Sequence, residues 1–157
     1  MDKYTETFQI LKTANNKLIA KIDELIEYIN SNKTSFNMDE KEVNKYYNLK
    51  NNEKAQKFAS EHLEKNNTFK TKLALDVENL KEDNIAVFLT TFVDYFAKVE
   101  DTYYDILNVV NNNNMTASSL YKTEVKLNYY KTNLQNVNSA EKAYTNKIKE
   151  IFNEETK

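Results

Sequence analysis

The side chains able to do chemistry are few, and their spacing does not assemble a reaction centre. The chain has no Cys, so it has no thiolate nucleophile, no disulfide framework and no Cys-based zinc or iron–sulfur site. Its single imidazole is His62, and one His cannot build a multi-His metal site. The di-iron signature of helical bundles, Glu-x-x-His, would need Glu at position 59, where Ala59 stands. His62 therefore reads as a partly exposed side chain at the edge of an apolar seam. Carboxylates such as Glu40, Glu42, Asp94, Glu100, Asp101 and Asp105 lie off the apolar stripes among lysines, the pattern of solvated helix faces. With no Gly there is neither a phosphate loop nor the turn an EF-hand requires. No catalytic, metal or cofactor site is expected, and the chain reads as a non-enzyme.

Aromatic side chains offer a different chemistry, that of docking. Tyr doublets occur at Tyr46-Tyr47, Tyr103-Tyr104 and Tyr129-Tyr130. Adjacent helical positions lie about 100° apart, so one ring of each pair enters a core while its neighbour sits at a groove edge. Tyr103 and Tyr130 fit the apolar seams, whereas Tyr104 and Tyr129 fall off them. In an antiparallel hairpin closed by Asn111–Asn114, Tyr104 and Tyr129 would present their rings beside one groove, with Tyr95 extending the strip. Because Tyr is enriched at interface hot spots, these three residues are the expected protein-binding face. Polar residues interrupt the seams at Asn15, Thr123 and Glu141. They either fix helix register, as a buried Asn does in coiled coils, or converge on a ligand cavity.

The elements that must position these residues are helices. The 157 residues include no Gly, Pro or Trp, where average usage would supply about 11 Gly and 8 Pro. That absence removes the usual residues of tight hairpin turns and excludes a many-stranded β fold. Helix nearly from end to end explains it, since Gly costs about 1 and Pro about 3 kcal/mol in a helix interior. Every cation is Lys, and Asn, Ile, Tyr and Phe are abundant, the mark of AT-rich coding in a bacterium or phage. The net charge of −2 argues against a protein built around nucleic acid. The longest apolar run, Ile85–Leu89, is far short of a membrane span, and the N-terminal residues lack a signal-peptide core. A cytoplasmic location is expected if the chain is whole, an extracytoplasmic one if it is an excised sensor segment.

Apolar periodicity predicts an all-α, elongated antiparallel four-helix bundle, up-down-up-down, as a single domain over residues 1–157. The first helix, about 3–30, carries Tyr4, Phe8, Leu11, Asn15, Leu18, Ile22, Leu25 and Ile29 at a period of 3.5. Asn37 with Glu40 reads as a capping box for a second helix over about 38–80. That helix is irregular: Val43 and Tyr47 begin its stripe, which resumes at Ala55, Phe58, Ala59 and Leu63 and then Phe69, Leu73, Val77 and Leu80. One long imperfect helix is preferred, with Asn51-Asn52 and Asn66-Asn67 as the places for a break. Asp83 or Asn84 caps a third helix, about 84–110, carrying Ile85, Phe88, Phe92, Phe96, Val99, Tyr103, Ile106 and Val110. Thr116 caps a fourth, about 117–153, with Leu120, Leu127, Tyr130, Leu134, Val137, Tyr144, Ile148 and Ile151 inward.

Residues 85–151, with Phe92, Phe96, Tyr103, the Asn loop, Leu120, Tyr130 and Leu134, resemble the second hairpin of four-helix sensor domains of bacterial chemoreceptors. The resemblance implies a ligand-sensing bundle outside the cytoplasm. The chain departs from that family in lacking flanking transmembrane helices, and Arg, which some such domains use to hold ligand carboxylates. The leading expectation is a non-catalytic helical-bundle protein acting on another protein as adaptor, inhibitor or structural component, with self-association as one form of it. No nucleic acid, membrane insertion or cofactor belongs to that reading.

Overall fold

A computed structural model describes residues 2–31, 36, 38–66, 76–112 and 115–152, all helix and short connections, with no strand among them. In chain order the helices are α1 (Lys3–Ser31), α2 (Glu40–Lys50), α3 (Glu53–Asn66), a 3-10 turn (Asp76–Asn79), α4 (Ile85–Asn111), α5 (Ala117–Ser139) and α6 (Glu141–Phe152). The described residues thus hold more helices than the four expected. Two of the expected helices are divided.

α1 forms as its periodicity demands. Asp2 opens it, accepting from the Thr5 N–H at 2.8 Å. Phe8, Asn15, Leu18, Ile22, Leu25 and Ile29 are all buried along one stripe. Each large apolar side chain so removed from water contributes roughly 2 kcal/mol.

The expected second helix stops at Asn51 and restarts at Glu53. The Asn51 N–H closes α2 on Tyr47 O at 3.0 Å, and the Asn52 side chain accepts from Ala55 N at 3.1 Å. An Asn pair thus supplies the stop and the cap that Gly and Ser usually provide, and local polar bonding outcompetes continuation of the helix. Asp39, not Asn37, caps α2, accepting from Glu42 N at 2.8 Å; Asn37, Asn67, Phe69 and Leu73 lie outside the described residues. Within α2 the stripe is also rotated from expectation: Tyr46 is fully buried and Tyr47 is 43% exposed.

Asn84 precedes α4 as expected, but its side chain faces backward, accepting from Lys81 N and donating to Asn79 O. Thr116 caps α5 and, with Ser119, forms a reciprocal capping box. The expected single helix over 117–153 breaks at Ala140, whose N–H turns to Val137 O at 3.1 Å. Just before it, the Ser139 hydroxyl back-bonds to Gln135 O and the Asn138 amide is drawn across to α1. Ser back-bonding of this kind bends helices.

Contacts fix the directions. Asp23 pairs with Lys131, Asn15 with Asn138 and Lys12 with Glu141, and Tyr144 donates to Tyr4 O, so α1 runs antiparallel to α5 and α6. Phe8 meets Phe92 and Lys21 meets Tyr104, so α1 and α4 run parallel. Two apolar clusters result. The larger joins α1, α2, α4 and α5 around Leu18, Ile22, Tyr46, Val99, Leu127 and Leu134. The smaller gathers Phe8, Val77, Phe88, Phe92, Tyr144 and Ile148 near the 3-10 turn and α6.

Candidate functional site

α2 lies along α5 and addresses it with three side chains four residues apart, the spacing of one helical face. Glu42 accepts from the Ala117 N–H at 2.8 Å, satisfying a donor of the first turn of α5 and placing a carboxylate at its positive end. One helical turn on, the Tyr46 hydroxyl donates to Glu124 Oε1. A turn further, Lys50 Nζ stands 3.7 Å from Glu124 Oε2 while donating to Asn30 Oδ1 at 2.9 Å. The result is a buried carboxylate, 6% exposed, held by a phenol and flanked by an ammonium.

α3 packs against α5 as well. Two grooves open between them, sharing Tyr121 and Val125. One, about 430 Å³, has Glu124 and Lys50 in its wall with Tyr129, Asn128 and Thr132. The other, about 530 Å³, is lined by Leu49, Phe58, Leu63 and Val125 with Lys122 and Lys126. Tyr121 is 6% exposed, yet its hydroxyl has no hydrogen-bond partner among the described residues.

The tyrosines of the expected docking strip are dispersed. Tyr104 is exposed on α4, where its hydroxyl accepts from Lys21 of α1 at 3.1 Å. Tyr129 is half-buried in the groove beside Glu124. The two therefore lie apart, Tyr104 beside α1 and Tyr129 in a groove of α5. Tyr95 cannot extend any surface strip: it is 2% exposed, and its hydroxyl accepts from buried Asn133 at 2.7 Å. The reason was visible in the spacing, since Tyr95 lies three residues after Phe92 and four before Val99. Tyr103 and Tyr130 are buried, as their seam positions predicted.

Of the seam-breaking polar residues, Asn15 is buried against Asn138, and Glu141 pairs with Lys12 at 2.7 Å, which holds its carboxyl below the usual range. Thr123 is half-buried; the polar residue truly on the seam is Glu124, four after Leu120 and three before Leu127. That spacing marked it, but a carboxylate at such a position reads as a surface residue until its partner on α2 is known. His62 is exposed and lines the apolar groove. Among the described residues no group of three or more His, Asp or Glu is placed to hold a metal ion, and no helix is long and apolar enough to cross a membrane.

Tyrosine titration reports on this packing. The Tyr46 and Tyr144 hydroxyls are pushed well above the ordinary tyrosine value, chiefly by burial, with the hydrogen bond to Glu124 adding to it at Tyr46 and the charge of Asp2 at Tyr144. A raised pKa means that the folded state keeps protons the unfolded state has lost. Stability is therefore insensitive to these groups below pH of about 10, and above it falls by about 1.4 kcal/mol per pH unit for each. Base titration followed by circular dichroism should show cooperative unfolding that begins above that pH, with a late rise of tyrosinate absorbance at the same midpoint.

No protein-family model, curated protein or solved structure matches the chain. Fold and site define an all-helical protein with two adjoining grooves against α5, one apolar and one built on a buried carboxylate.

Proposed function

We propose that this protein performs no catalysis and works by binding another protein, with the apolar groove between α3 and α5 as its docking face. The observation that carries this reading is Phe58, whose ring stands 73% exposed on the wall of that groove. An isolated exposed apolar residue needs no explanation, but one beside a concave apolar lining is the pattern of an interaction site. Lys122 and Lys126 give the groove a cationic edge. The partner these features fit is an amphipathic helix with an apolar face and an acidic flank, the helix-in-groove mode of recognition.

A labelled model helix with a Leu face and Glu flanks, titrated by fluorescence anisotropy, tests this. It should bind at least tenfold tighter than the same helix with Lys flanks. Phe58→Ala should weaken it by about 1.5–3 kcal/mol, the transfer value of a buried Phe, while leaving the melting temperature unchanged. Equal binding of both helices, or indifference to Phe58→Ala, would sink the reading. A concentration-dependent dimer abolished by Phe58→Asp would replace the foreign helix with a second copy of this chain.

A further inference from the structure

The groove around Glu124 calls for a ligand of its own, separate from any docked helix. A carboxylate taken out of water is costly unless its lone pairs are filled, and an ionised one has about four sites for donors. Here Tyr46 fills one site on Oε1, and Lys50 approaches Oε2 at 3.7 Å while bonding more closely to Asn30. Glu124 in turn lines a cavity of about 430 Å³, within the range of small-molecule pockets, with Lys50 standing off beside its second oxygen. The ring of Tyr121, which also borders the neighbouring groove, forms part of the cavity wall, while its hydroxyl is enclosed and has no partner among the described residues. The Tyr121 and Tyr129 side chains and Val125 supply the rest of an aromatic and apolar wall.

We propose that this cavity binds a small organic amine in its ammonium form, an N–H donated to the Glu124 carboxylate and the organic body resting on the Tyr121 and Tyr129 side chains and Val125. The chemistry selects this class. A carboxylate repels anions, a neutral ligand gains little from its charge, and ammonium groups are attracted both to carboxylates and to the faces of tyrosine rings. Lys50 competes for the same oxygen, so the resident ammonium sets the strength with which a foreign one binds.

Benzylamine, benzyl alcohol and benzoate, which share one ring and differ in charge, serve as probes by calorimetry and by amide shifts at Asn128 and Tyr129. Benzylamine should bind at least tenfold tighter than benzyl alcohol, and benzoate should not bind. Glu124→Gln should weaken benzylamine at least tenfold, and Lys50→Met, which removes the competitor, should tighten it severalfold. Phe58→Asp, which alters the neighbouring groove, should leave benzylamine binding unchanged, so this proposal and the docking reading fail separately. Absence of benzylamine binding, equal affinity for the alcohol, or weaker binding in Lys50→Met would overturn the assignment. Should Glu124→Gln fail to fold, the Lys50→Met result decides.

Discussion

Replacing Tyr144 by Ala is expected to destabilise the fold by about 4 kcal/mol, the range of large-to-small changes at buried aromatic positions. Tyr144 is fully buried, its ring 4.5 Å from that of Phe8 and 5.8 Å from that of Phe88, both near parallel to it. Its hydroxyl donates to Tyr4 O at 2.9 Å, so truncation also strips a partner from α1. The smaller apolar cluster is built around these rings, and a cavity there uncouples α6 from both α1 and α4. Urea unfolding followed by circular dichroism should show a lower midpoint with little change in slope. Tyr144→Phe, which keeps the rings stacked, should cost only about 1 kcal/mol, the worth of a single hydrogen bond. If Ala and Phe cost the same, ring packing is not what holds this end of the molecule together.

The second large effect is expected at Tyr46. Tyr46→Phe keeps the ring in place but leaves Glu124 buried without its phenol donor, which should cost about 2–3 kcal/mol. The companion change separates a lost bond from a stranded charge. In the Tyr46→Phe background, Glu124→Leu should restore most of the loss, because two apolar groups of similar shape replace a pair whose desolvation was costly. The same double change would abolish benzylamine binding while the fold survives. Failure of Glu124→Leu to recover stability would mean that Glu124 is not the buried cost that Tyr46 offsets.

Much of the helical pattern could be read without coordinates. The α1 stripe of Phe8, Asn15, Leu18, Ile22, Leu25 and Ile29 is buried where its period put it, with Leu11 half-buried, because a period close to that of the helix leaves one face for the core. The Tyr103/Tyr104 and Tyr129/Tyr130 pairs divide between inside and edge as the seams implied. The failures share a cause. Tyr46 and Tyr47 lie three and four residues after Val43, so either fits one helical face with it, and the choice fell to Glu124 across the interface. The break at Asn51-Asn52 falls at one of the two places the sequence marked for it; whether a break occurs there or at Ala140 depends on whether side chains bond locally or continue the helix, a contest of about 1 kcal/mol that helical periodicity does not register.

The sequence by itself determined an all-helical chain: without Gly or Pro it has few ways to turn tightly, and its apolar residues recur at threes and fours. It also determined which face of α1 and α4 meets the core. Tertiary structure decided which polar residues go inside with them. Glu124, Asn133 and the Tyr95 and Tyr121 hydroxyls sit on seams where burial alone would reject them. Three of these four are held inside by a partner far along the chain: Tyr46 for Glu124, and Tyr95 and Asn133 for each other. A polar group's free energy of burial depends on the donor or acceptor it meets, and that partner is chosen by how the helices pack, not by the residues on either side of it.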